Sequence, residues 1–236
     1  MNNILKKGVF YFFIFLNVVS TTGLCQDDSM GNLGKIDYLY LLRTNYVMMA
    51  LLVLSLLSLA FIIERCLYFK SVKFSSREFM KKVEHMVLEK DFEGIVTMCE
   101  KKKNPLANSI KTVIENMDRS KQDLEEIYEI VRATEKEGLE KFMVILGSSA
   151  AISPLLGLLG TVTGIIKAFA DLAASGSGGP SVVAAGVSEA LVTTAFGLIV
   201  AIPVLLFFNS FNSKIKTVVT ELDVNVRMLF FILEKK

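Results

Sequence analysis

The chain has 236 residues, 52% of them hydrophobic, a formal net charge of +2 and a mean hydropathy of +0.49. So small a net charge argues against a nucleic-acid partner. A single histidine, His85, and three scattered cysteines, Cys25, Cys66 and Cys99, exclude a histidine-based catalytic or metal cluster. The apolar share exceeds the ~45–50% of soluble domains and is concentrated in blocks. The chain therefore reads as an all-α integral membrane protein, with three transmembrane helices and long cytoplasmic helical extensions.

Residues 1–25 read as a signal peptide. Lys6 and Lys7 precede a short apolar core, VFYFFIFLNVV, and small residues follow up to Cys25-Gln26, near which cleavage is expected. Residues 26–45 are then a periplasmic N-terminal segment. Residues 46–68 form the first spanning helix, nearly continuous apolar sequence from Tyr46 to Ile63. Lys70, Lys73, Arg77, Lys81 and Lys82 follow at once, and such a cluster marks the cytoplasmic side.

Residues 69–141 form a cytoplasmic helical region. Phe92, Ile95, Val96 and Cys99 recur at helical spacing, Asn104-Pro105 interrupts the pattern, and Ser120 with Asp123 resembles a capping box. Leu124, Ile127, Tyr128, Val131 and Leu139 continue an apolar stripe with no turn residue after it. One helix is therefore expected from about Ser120 to about Ala174.

Residues 142–170 form the second spanning helix. Ser149, Ser153, Gly157 and Thr161 repeat every four positions, and Gly160 and Gly164 add a G-x-x-x-G pair, a face that lets helix backbones approach closely in lipid. Pro154 should kink this helix, and Pro203 the next. Residues 171–185, rich in glycine and free of Lys and Arg, are expected to form a periplasmic loop. Residues 186–208 form the third span. It carries Glu189 with Thr193 and Thr194, and an ionisable group at the centre of a span costs roughly 2.5–3.5 kcal/mol on insertion scales, so Glu189 is a functional-site candidate. Thr193 is four residues from Glu189 and shares its face, whereas Thr194 is five away and points elsewhere. Gly157, Gly160, Gly164, Gly197, Pro154 and Pro203 are the expected helix-packing residues. Residues 209–236 repeat Ile215, Val219, Leu222, Val226, Leu229 and Leu233 and form an amphipathic cytoplasmic C-terminal helix. With no phosphate loop, nucleophile–histidine pair or metal spacing, neither an enzyme nor a cofactor nor a metal is expected.

AAISPLLGLLGTVTGIIKAF and VVAAGVSEALVTTAFGLIVAIPVLLFFNSF resemble the paired membrane helices of the MotA/TolQ/ExbB proton-channel family, most of all its ExbB branch. The resemblance implies a homo-pentamer of three-span subunits in the bacterial inner membrane, around a dimer of a one-span ExbD- or TolR-like partner with a membrane aspartate. The proton-motive force would drive the assembly, and a TonB-like protein would receive the work for outer-membrane transport. By matching motif positions, Thr161, Glu189 and Thr194 would face the central channel, with Thr193 grouped beside Glu189 in the ion pathway. The mature N-terminus would be periplasmic and the C-terminus cytoplasmic. Ala185-Gly186 stands where the family often has Pro-Gly. A TolQ-like role in outer-membrane integrity and a non-conducting membrane scaffold are the competing readings.

Overall fold

A computed structural model describes residues 45–72, 76–102, 104–175 and 180–234. The expected signal peptide and nearly all of segment 26–45 lie outside the described residues. Those described form seven helices: α1 (Tyr46–Val72), α2 (Ser76–Leu88), α3 (Phe92–Glu100), α4 (Pro105–Glu115), α5 (Lys121–Glu140), α6 (Met143–Ser175) and α7 (Pro180–Glu234). Three of these, α1, α6 and α7, are long and apolar enough to cross a membrane. The chain divides into an apolar unit, which takes in residues up to 63 and 144–209, and a polar unit of residues 64–143 and 210–236.

In the polar unit, local signals set the helix ends. The Asp91 side chain accepts from Gly94 N at 2.9 Å and starts α3. Asn104 caps α4 by accepting from Ala107 N at 2.7 Å, and Pro105 fills the first turn, where its missing N–H costs nothing. Ser120 caps α5 by accepting from Asp123 N, and its hydroxyl donates back to the Asp123 carboxylate at 2.7 Å. The amphipathic faces these caps orient meet in one core. Phe79, Val83 and Val87 of α2 pack with Ile95 and Cys99 of α3, Ile110 and Val113 of α4, Tyr128 of α5, and Leu222, Val226 and Leu229 of α7. Burying each large aliphatic side chain contributes about 1.5–3 kcal/mol. Asp223 adds a polar tie: it accepts from Tyr128 Oη at 2.8 Å and from Arg132 Nε at 2.6 Å.

The single helix expected from Ser120 to Ala174 is broken. α5 ends at Glu140, Phe142 adopts φ of 65°, and α6 starts at Met143. Positive φ is costly for an aromatic residue, and tertiary contacts hold it. The fully buried Arg65 donates to the carbonyl oxygens of Gly138 (3.3 Å) and Leu139 (3.5 Å), the unsatisfied end of α5. Its guanidinium lies 4.4 Å from the Tyr68 ring centroid and 5.5 Å from that of Phe142.

A second expectation also fails. Most of the proposed loop 171–185 is helical, because α6 runs on to Ser175 and α7 begins at Pro180. Ala173 and Ala174 are strong helix formers, and proline suits a first helical turn. The helices continue through Pro154 and Pro203.

The apolar unit has an inverted polarity. Ser58, Ser149, Ser153, Thr161 and Thr193 are buried, while Leu56, Leu155, Ile166, Leu191 and Ile202 are exposed. A helix cluster in water would bury those leucines; in lipid, apolar side chains belong outside and hydroxyls inside.

Candidate functional site

The site grows from the packing of α6 on α7. At Gly197 an added Cβ would lie 2.6 Å from the Ser153 carbonyl oxygen and 3.1 Å from Gly157 Cα. At Gly157 it would lie 3.0 Å from Thr194 Cα. Further along, a Cβ on Gly164 would come within 2.7 Å of Ala190 Cβ, and one on Gly186 within 2.5 Å of Ala168 Cβ. The two helices therefore run antiparallel in backbone contact, with glycine or alanine at each crossing point.

That register sorts the hydroxyls to two sides of the seam. On one side, Thr194 Oγ1 donates to the Gly157 carbonyl oxygen at 2.9 Å and stands 3.4 Å from Thr161 Oγ1. Thr161 Oγ1 donates within its own helix to Leu158 O at 2.6 Å. A backbone carbonyl is thus the nearest acceptor of each hydroxyl, and both oxygens can still accept a further hydrogen bond. On the other side, the methyl of Thr193 fills the space over Gly160, and Val47 of α1 lies 3.4 Å from the same point. The Thr193 side chain is fully buried, with its hydroxyl 3.4 Å from Glu189 O.

Glu189 lies four residues before Thr193, so it belongs to the Gly160 side. It is half-buried, and its carboxylate makes no hydrogen bond or ion pair among the described residues. Thr161 and Thr194 are brought together; Glu189 and Thr193 share a different face. Pro154 and Pro203 are half-buried.

Three features escape a reading of the sequence. Gly186 with Ala190, and Gly164 with Ala168, extend the small-residue contact by one more turn. Their four-residue spacing was a usable signal. Lys167 is a charge within α6, as conspicuous in an apolar run as Glu189. Arg65 serves as the cap of α5, for which local sequence offers no sign. Among the described residues no group of three or more His, Cys, Asp or Glu could hold a metal.

These features define a multi-pass membrane protein whose glycine-lined helix pair buries hydroxyls and carries a carboxylate. The chain belongs to the MotA/TolQ/ExbB proton channel family, whose model matches residues 101–224. It is 30% identical over 169 residues to a putative biopolymer transport protein ExbB-like 3 of Synechocystis, covering 71% of this chain and 80% of that protein. It is 42% identical over 89 residues to the biopolymer transport protein ExbB of Xanthomonas campestris, covering 38% of this chain and 35% of that protein. It is 38% identical over 84 residues to the Tol-Pal system protein TolQ of Haemophilus influenzae, covering 36% and 37%. The matches to these ExbB and TolQ relatives thus span about a third of their length. Membership makes a channel-type role the expectation and an enzymatic one unwarranted.

Proposed function

We propose that this chain is an ExbB-type subunit of an inner-membrane complex that uses the proton-motive force to power transport at the outer membrane. Five copies surround a dimer of a one-span ExbD- or TolR-like partner, the mature N-terminus is periplasmic, and a TonB-like protein receives the work. Thr161 and Thr194 line the ion path, and Glu189 carries protons towards the partner's membrane aspartate. The observation that carries this reading is the half-buried carboxylate of Glu189, with no hydrogen bond or ion pair among the described residues, in an apolar helix that also brings Thr194 to Thr161 across the seam. A proton crossing 100 mV supplies about 2.3 kcal/mol, enough to bias a repacking step.

The test is energised uptake with Glu189→Gln at matched expression. Uptake should be lost while the oligomer persists; uptake at the wild-type level would remove Glu189 from the mechanism. The likeness to TolQ favours a second reading, a Tol-type role in outer-membrane integrity. Purification from native membranes with mass spectrometry separates the two. An ExbD-like and a TonB-like protein should accompany the chain, whereas Tol-type partners would assign it to the envelope.

A further inference from the structure

The described part of the apolar unit holds three formally charged side chains: Lys167 and Asp171 of α6 and Glu189 of α7. None carries a side-chain hydrogen bond or ion pair among the described residues. The seam contacts fix where two of them stand. Lys167 follows Gly160 by seven residues, two helical turns, and so lies on the Gly160 side. Glu189 precedes Thr193 by four and lies on that same side, since Thr193 packs over Gly160. The level agrees as well. The contacts Gly164–Ala190 and Ala168–Gly186 are one turn apart. Lys167 immediately precedes Ala168, and Glu189 immediately precedes Ala190, so both fall within the turn those contacts bracket. One turn rises about 5.4 Å, within the reach of a lysine side chain.

We propose that Lys167 is the positioning cation of Glu189: its ammonium crosses the seam to pair with the carboxylate when Glu189 is charged and swings free when Glu189 takes a proton. The role, though not the pairing, rests on the ion-path reading of Glu189. Two plainer explanations of Lys167 are weaker. It stands eight residues before the end of α6, beyond the last turn where a helix dipole acts. Snorkelling to headgroups alone would leave Glu189 uncompensated in its apolar helix. Asp171, one turn further along α6, is the competing partner.

A double-mutant cycle on the full chain, purified from membranes with its partners into lipid nanodiscs, tests the pairing. Lys167→Met should lower the thermal midpoint when Glu189 is present and leave it unmoved in Glu189→Gln, while Lys167→Arg should restore the wild-type midpoint. An equal shift in both backgrounds would overturn the pairing. So would a shift erased by Asp171→Asn and not by Glu189→Gln. Should Lys167→Met fail to assemble, cysteines at both positions in a Cys66→Ser/Cys99→Ser background should be joined within one chain by a short bifunctional thiol reagent; no such product would also overturn it. Ion flux in the same preparations reads the role separately. Lys167→Met should reduce flux and Lys167→Arg restore it. Wild-type flux in Glu189→Gln would end the role and leave the measured coupling standing.

Discussion

The hydroxyl of Thr194 donates to the carbonyl oxygen of Gly157 at 2.9 Å, across 37 positions of sequence. The bond exists because Gly157 has no side chain to hold α7 away. It ties the α6–α7 register to a polar contact that lipid cannot replace.

Thr194→Val keeps the shape of the side chain and removes the donor. Hydrogen bonds between membrane helices average about 0.6 kcal/mol, so the variant should assemble with only a small loss of thermal stability. Ion flux in proteoliposomes should nevertheless fall, and Thr194→Ser should retain it. Equal flux in both variants would make the hydroxyl a packing accessory.

Gly197→Ala places a methyl group 2.6 Å from one backbone oxygen and 3.1 Å from a backbone carbon. Neither can yield as a flexible side chain would, and overpacking of this kind costs about 1–3 kcal/mol. The thermal midpoint should drop. Gly138→Ala is the matched control, since nothing lies within 4 Å of its added methyl. It lies in the last turn of α5 and should leave the thermal midpoint at or slightly above the wild-type value.

Asp223 ties α7 to α5 in the polar unit. Burial alone would raise its carboxyl pKa, but the hydrogen bonds from Arg132 and Tyr128 outweigh burial and hold it below the usual carboxylate range. Its contribution is present above the unfolded value of about 4 and is lost as pH falls through the lower folded value. Tyr128 moves the opposite way, raised first by burial and then by its bond to Asp223. Its contribution is present below the unfolded value of about 10 and is lost at more alkaline pH. Denaturant titrations should show wild type losing stability at both extremes. Asp223→Asn should be less stable at neutral pH and flatter in the acid range.

Cys99 is buried in the core of the polar unit, and burial pushes its thiol up to about 11. A thiol both inaccessible and protonated is a poor nucleophile. Maleimide should leave Cys99 unlabelled at pH 7.5 in native membranes and label it once denaturant opens the helices. Prompt labelling of the native protein would mean that the polar unit opens locally.

Legibility followed the range of the interactions. The starts of α4 and α5 were readable because Asn104-Pro105 and Ser120 with Asp123 act within one helical turn. The buried stripe from Ile215 to Leu229 was readable from its period. The break at Phe142 was not, since Arg65, more than seventy residues earlier in the chain, caps the end of α5. Nor was the helical course of 171–175 and 180–185, where the glycines and serines of the segment suggested a loop throughout. At the candidate site, Glu189 stood out through the cost of a charge in a span. The pairing of Thr161 with Thr194 depended on the α6–α7 register, which local pattern does not encode.

The donation of both hydroxyls to backbone carbonyls bears on the proposed ion path. With Thr161 donating to Leu158 O and Thr194 to Gly157 O, each hydroxyl has its nearest acceptor in the backbone, and its oxygen can still accept. If the proposed ion path runs along this side, a cation would meet two hydroxyl oxygens 3.4 Å apart. Under the proposed function, a preference for cations over anions would begin with these two threonines, before any charged residue is considered.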